Sequence, residues 1–341
     1  MILRLLESIY ARTVARRRER CLHEVWHAPE EVKVISVGNL TMGGTGKTPA
    51  VQWLARELSA YGKVAVVGRG YRGSLSDKGA VASDGKSTFH NSVEVGDEAL
   101  LHARALPGIP ILIGRDRVQA VQMAIDQFQP QFIVLDDAFQ YWSLGRDCDI
   151  VLLDAARPFD NQHTLPLGKL RELPEALERA DITVLTRCGG QRPALLERSR
   201  RQISGYCEAP LFLSDHQPVD LRNETDGSAK DLKTLHGAKV LSVTAIANNN
   251  AWKQQLRELG AEVVTNLARR DHHHWQATEL QNAVQRARNA GANMIITTEK
   301  DAVKIDPAWC HPLPLFSVRI DWHLENEAGF RQQLREQLEL L

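Results

Sequence analysis

Thr41-Met42-Gly43-Gly44-Thr45-Gly46-Lys47-Thr48 is the stretch of this chain best suited to chemistry. It follows the apolar run Val34-Ile35-Ser36-Val37 and precedes a helical pattern from Val51 to Leu58. A strand, a glycine-rich turn, Lys-Thr and a helix together form a phosphate-binding P-loop. Small residues let backbone N–H groups converge on phosphate oxygens, and the helix N-terminus adds positive charge. Gly43, Gly44, Thr45 and Gly46 would wrap a nucleotide. Lys47 would reach the β- and γ-phosphates, and the Thr48 hydroxyl would ligate Mg²⁺. Thr41 stands where the pattern has its first glycine, and Gly38 lies three residues upstream. The loop is therefore a variant with its G-x-G-K-T end intact.

Carboxylates supply the rest of the chemistry. Phe132-Ile133-Val134-Leu135 is an apolar strand ending in Asp136 and Asp137. A P-loop enzyme needs a strand-end aspartate for Mg²⁺, and either one satisfies that need. Asp97 and Glu98 open a helical pattern, where acidic groups also suit the helix dipole. Their functional reading is a proton acceptor for a hydroxyl nucleophile and a second metal contact. Asp271-His272-His273-His274 places three consecutive histidines that cannot share a helix face, so a metal cluster is not expected there. An Asp-His pair directed at a cleft between domains is the sharper reading. Lys300 follows a strand at Met294–Thr297, and strand ends line ligand crevices in such sheets. Arg69, Arg115, Arg171 and Glu172 lie in short basic or mixed motifs, in which the arginines could grip phosphates bidentately.

These groups need a scaffold of alternating strands and helices. Apolar runs at Val32–Val37, Val64–Val67, Ile111–Ile113, Phe132–Leu135, Ile150–Leu153 and Ile182–Leu185 read as buried strands. A second series follows from Val240. The expected fold is α/β: a P-loop NTPase-like, mostly parallel sheet with helices on both faces, plus a second, smaller α/β domain. The expected boundaries are a basic amphipathic helix over 1–20, a kinase domain over 21–215, a linker over 216–231, a smaller domain over 232–318, and a C-terminal segment and helix over 319–341.

Bulk properties narrow the class. The 341 residues are 25% charged and 43% hydrophobic with a net charge of +0, so no global field favours nucleic acid. Five scattered cysteines, with no C-x-x-C, argue against a disulfide framework or zinc site and for a reducing compartment. No run approaches the roughly 18 apolar residues of a membrane span. The first twenty residues carry six arginines against two glutamates, and Ile2, Leu3, Leu5, Leu6 and Ile9 recur at helical spacing. Such a helix could lie on an anionic membrane face or dock on its own domain.

In order along the chain, Gly38-Asn39-Leu40 leading into the P-loop, Gly68-Arg69-Gly70-Tyr71, Gly96-Asp97-Glu98, Asp136-Asp137-Ala138-Phe139-Gln140, Leu170-Arg171-Glu172, Asp271-His272-His273 and Thr298-Glu299-Lys300-Asp301 resemble the tetraacyldisaccharide 4′-kinases. These are the lipid A 4′-kinases of Gram-negative bacteria. The resemblance implies ATP and Mg²⁺ as cofactors and phosphorylation of the 4′-hydroxyl of a tetraacylated glucosamine disaccharide 1-phosphate. It implies peripheral association with the cytoplasmic face of the inner membrane, with no obligate protein partner. It makes Asp97 the base, paired with His272, and Lys47 a catalytic contact. Glu98 with Asp136 or Asp137 would organise Mg²⁺, and Asp271 would flank the substrate. The other readings of the P-loop are a regulatory or maturation ATPase acting on a protein partner, or a soluble small-metabolite kinase. A maturation ATPase would leave Asp97 without a purpose, and a small-metabolite kinase would not need the basic N-terminus.

Overall fold

The computed structural model describes residues 2–246 and 248–340. The chain forms two compact units, Met1–His216 with Trp322–Leu341, and Gln217–Asp321.

The first unit opens with α1 (Ile2–Leu22) and continues through β1 (Lys33–Asn39), α2 (Lys47–Leu58), β2 (Val64–Gly68), β3 (Ala80–Ser83), α3 (Ser92–Val95), α4 (Asp97–Ala105), β4 (Ile111–Ile113), α5 (Arg117–Phe128), β5 (Phe132–Asp136), β6 (Cys148–Asp154), β7 (Ile182–Thr186) and α6 (Pro193–Ser204). The first half of β8 (Leu211–Asn223) completes its sheet. The strand order is β8-β7-β6-β1-β5-β2-β4-β3, parallel except for β3 at the edge. Val, Ile, Leu and Phe fill these strands because both faces are covered. Period-two alternation then sorts them. Ile35, Val37, Val66 and Val134 face a core shared with Val51, Leu54 and Leu58 of α2, while Val34, Val67, Ile133 and Leu135 face Ala120, Val121 and Ala124 of α5. Parallel pairing puts Val37 opposite both Asp136 and Ile150. The loop after β1 and the carboxylates at the end of β5 therefore emerge side by side.

The second unit contains the remainder of β8, β9 (Ala229–Lys230), β10 (Lys239–Thr244), α7 (Asn249–Glu258), β11 (Glu262–Ala268), α8 (Ala277–Asn289), β12 (Met294–Thr298), α9 (Glu299–Ala302) and most of β13 (Leu315–Leu324). Its order is β11-β10-β12-β13-β8, with β9 antiparallel on β8. Leu241, Val243 and Ile295 pack with Leu280 and Val284 of α8, and Val240, Ile296 and Phe316 pack with Trp252 and Leu256 of α7. Residues 216–231, read from sequence as linker, hold the distal half of β8 and β9. Their polar residues lie in a half-exposed strand, which lacks the apolar run that marks a buried one.

The C-terminal helix α10 (Glu327–Leu338) belongs to the first unit. Asn326 caps it by accepting from Gly329 N, and Phe330, Leu334 and Leu338 turn one stripe into the α2 side of the core. The Phe330 ring lies edge-on to Trp53, Phe212 and Trp322, with centroids 5.5, 5.2 and 5.6 Å away. Phe330→Ala removes the centre of this cluster and should cost about 3–5 kcal/mol. An unchanged denaturant midpoint for the first unit would contradict that packing role.

Candidate functional site

The loop between β1 and α2 bends through Gly43 and Gly46, whose φ values of 116° and 84° favour glycine. Gly46 is held by space as well: a Cβ there would lie 1.9 Å from the His216 ring. From this turn α2 starts at Lys47, leaving its first N–H groups free for an anion. Lys47 Nζ lies 3.2 Å from Asn39 Oδ1 and 3.5 Å from Asp137 Oδ1. Thr45 Oγ1 is buried with no hydrogen-bond partner among the described residues, as suits a hydroxyl awaiting a phosphate oxygen. Thr48 sits half-buried in the first turn of α2. Two residues from the far side of the sheet brace the loop. Arg187 hydrogen-bonds the Gly44 carbonyl and Asp154, the latter at 2.8 Å, and burial and the Arg187 charge lower the His216 pKa.

The two strand-end aspartates diverge. Asp136 is buried, with Oδ2 2.9 Å from His102 Nε2 on α4. Asp137 turns left-handed at φ 58° and donates its N–H to Val37 O at 2.9 Å. Its carboxylate meets Arg171 Nη1 at 2.8 Å as well as Lys47. Burial alone would raise the Asp137 pKa, but Lys47, Arg171 and Arg117 outweigh it and hold it at about 2. Arg117, the first residue of α5, is buried, and burial pulls its pKa down to about 10 against the fields of Asp137 and Asp136. Arg171 also reaches Gln140 Oε1 at 3.3 Å, and Gln140 in turn donates to Asn39 O at 2.9 Å. Lys47, Asn39, Gln140, Arg171 and Asp137 thus form one charge-assisted network at the P-loop, and the charge of buried Arg117 acts on Asp137 from beside it.

Asp97 is the first residue of α4 and only 6% exposed, with Glu98 half-buried beside it. Gly96 precedes it at φ 85°, where a Cβ would sit 2.7 Å from Tyr71 O, so the Gly70–Tyr71 turn abuts the start of α4. His102, on the same helix, ties α4 to the end of β5 through Asp136. Asp97 is therefore carried on a helix anchored to the P-loop sheet.

The remaining arginines and Glu172 take different places. Arg115 is exposed and pairs with Asp77 at 3.3 Å. Arg69 is also exposed, although its charge acts on Arg117. Glu172 is buried in a two-point pair with Arg179 at 2.8 and 3.1 Å, and Arg179 stacks over Phe139 at 4.4 Å. In the second unit, Lys300 Nζ lies 2.9 Å from Asp271 Oδ1 and 3.3 Å from His272 Nε2. Burial opposes ionisation of Asp271, but the Lys300 hydrogen bond and charge, helped by His272, lower its pKa. His272 has φ 63°, while His273 Nε2 turns away to Glu279 at 2.9 Å. Of the adjacent histidines, His272 joins Asp271 and Lys300. Sequence reading missed His102, Arg187 and His216, and within Gly114-Arg115-Asp116-Arg117 it singled out Arg115. Arg117 shares a motif with Arg115, and only the fold distinguishes the buried arginine from the exposed one.

The family model of LpxK, tetraacyldisaccharide-1-P 4′-kinase, matches residues 1–339. A tetraacyldisaccharide 4′-kinase of Syntrophus aciditrophicus (strain SB) is 39% identical over 316 residues, covering 90% of this chain and 84% of the relative. One from Anaeromyxobacter sp. (strain Fw109-5) is 42% identical over 295 residues, covering 86% and 79%. The crystal structure of an "apo" form of LpxK from Aquifex aeolicus in complex with ATP is similar with a TM-score of 0.78 at 25% identity, covering 98% of each chain. With a P-loop of the right shape and matches along nearly its whole length, this chain belongs to the tetraacyldisaccharide 4′-kinase family.

Proposed function

We propose that this chain transfers the γ-phosphate of ATP to the 4′-hydroxyl of a tetraacylated disaccharide 1-phosphate in lipid A biosynthesis. The family it belongs to is one of kinases that phosphorylate a hydroxyl. The observation that carries the site is Lys47, held at the P-loop within 3.5 Å of the ionised strand-end carboxylate of Asp137. In the proposed step the 4′-oxygen bonds to the γ-phosphorus, the bond from that phosphorus to the bridging oxygen breaks, and ADP leaves. The hydroxyl proton passes to Asp97. The P-loop amides, Thr45 and Lys47 hold the phosphates in line, and Arg117 and Arg171 add positive charge near them. Asp97 is favoured as the acceptor by its burial at the start of a helix anchored to the phosphate site. The family resemblance also assigns His272 to this step, and within the second unit Lys300 and Asp271 lie beside it.

The hard oxygen donors at this site suit Mg²⁺. Thr48, Asp136 or Asp137, and Glu98 would hold the ion, and the low pKa of Asp137 keeps that carboxylate charged for it. When bound, the ion neutralises charge on the β- and γ-phosphates.

Among the described residues no helix is long and apolar enough to cross a membrane. A peripheral position on the cytoplasmic face of the inner membrane is supported instead by α1, on which Ile2, Leu5 and Ile9 are 73%, 63% and 52% exposed and followed by Arg12 and Arg16–Arg18. Each arginine near an anionic surface contributes about 1 kcal/mol. Removing residues 2–20 should abolish most co-sedimentation with anionic vesicles at low salt, and added salt should mimic part of that loss. Equal sedimentation of the full and shortened chains would exclude α1 as the contact.

The acceptor assignment is tested with a disaccharide 1-phosphate lacking the 4′-hydroxyl. It should take no phosphate from ATP while the native acceptor does, and equal phosphorylation of both would overturn the 4′ assignment.

A further inference from the structure

Helix α1 has two faces with different fates. Glu7, Tyr10, Ala11, Val14, Arg18 and Cys21 are half-buried at helical spacing, and they rest on the first unit. The exposed stripe of Ile2, Leu5, Leu6 and Ile9 lies beside that face. The docked face is anchored by polar contacts. Glu7 Oε1 lies 3.0 Å from His163 Nδ1 and accepts from Thr164 N at 2.9 Å, while Tyr10 donates its hydroxyl to Arg171 O at 3.2 Å.

Those anchors are the two ends of one short turn-back. Leu170 N donates to His163 O at 3.2 Å, and Leu165 N donates to Leu170 O at 3.1 Å, closing it. Its outgoing limb is stitched to the strand that leads into the P-loop. Arg171 N donates to Leu40 O and Met42 N donates to Lys169 O, both at 2.7 Å, and Thr41 bridges Leu170. From the same limb the Arg171 side chain grips Asp137, the partner of Lys47. A continuous set of hydrogen bonds therefore runs from α1 through residues 163–171 to both the backbone and the charges of the phosphate site.

We propose that Glu7 and Tyr10 are positioning residues for the P-loop, so that the helix carrying the exposed apolar stripe also sets nucleotide affinity. The inference rests on reading that loop as the ATP site. With the two anchors made, Leu40–Met42 and Arg171 are held where Asp137 and Lys47 need them. Without them the turn-back gains freedom that nucleotide binding must then remove, which weakens binding without altering any phosphate contact.

The experiment is equilibrium titration of the full chain with a non-hydrolysable ATP analogue and Mg²⁺, in the absence of lipid. Glu7→Ala with Tyr10→Phe should raise the analogue Kd by roughly 3–10-fold, the scale expected for losing two modest hydrogen bonds that act through the fold. Leu5→Ser with Ile9→Ser, on the exposed stripe, should leave that Kd unchanged while reducing vesicle binding. An unchanged Kd in the Glu7 and Tyr10 variant, with or without a lowered thermal midpoint, overturns the inference, because a merely structural role would move only the midpoint. Lys47→Ala is the reference: if it binds the analogue as tightly as the native chain, the nucleotide-site reading itself fails.

Discussion

Lys47→Ala is expected to leave a folded chain with almost no kinase activity. Lys47 is the one lysine in this network, 3.2 Å from Asn39 and 3.5 Å from Asp137. In the proposed nucleotide complex its charge would fall on the phosphates, where negative charge shifts toward the leaving oxygen as transfer proceeds. Removing a positioned donor of that kind costs about 10²–10³ in kcat. The fold should tolerate the change, because Asp137 keeps Arg171 at 2.8 Å and Asn39 still lies beside Gln140. Circular dichroism reports the fold and initial rates at saturating ATP report kcat. A folded variant with native kcat would remove the P-loop from the mechanism.

Asp97→Ala should lower kcat by roughly 10²–10⁴-fold, the scale of a positioned proton acceptor, with little change in apparent ATP affinity. Asp97→Asn keeps the shape at the start of α4 and should be nearly as inactive, which separates loss of the carboxylate from loss of packing. A defect confined to the KM for ATP would instead assign Asp97 to the metal or to structure. His272→Ala tests the proposed pairing of that residue with Asp97. If the two side chains act as a unit, the double variant loses less than the product of the single losses. Fully multiplicative losses would refute the pairing.

The parallel core was legible because its strands are continuous apolar runs, and β1, β5, β6 and β7 begin and end within two residues of those runs. The P-loop was legible because its chemistry demands small residues and Lys-Thr at fixed spacing. Strand β8 was obscured by its polar distal half, since a half-exposed strand carries no apolar run. The edge strand β3, Ala-Val-Ala-Ser, was obscured because only half of it is buried and it carries no run of large apolar residues. At the site, residue type located the carboxylates but not their partners. Asp136 and Asp137 are adjacent in sequence, yet a left-handed turn at Asp137 sends one to His102 and the other to Lys47 and Arg171. That divergence depends on tertiary neighbours drawn from α4 and the 163–171 turn-back. His102 carries no local signal at all, and nothing in the spacing of Arg115 and Arg117 says which is buried. Of the two readings of α1, docking is visible in the structure, through Glu7 and Tyr10, and it leaves the apolar stripe of Ile2, Leu5, Leu6 and Ile9 exposed.

The central claim is phosphoryl transfer to the lipid disaccharide, and the most direct measurement follows the γ-phosphate itself. The full-length chain is incubated with ATP radiolabelled at that position, Mg²⁺ and tetraacyldisaccharide 1-phosphate in detergent micelles, and lipid and aqueous phases are counted. The account predicts that label enters the lipid as a 4′-phosphate, and that Lys47→Ala and Asp97→Ala suppress it. Label released only as inorganic phosphate, with the disaccharide unmodified, would contradict it.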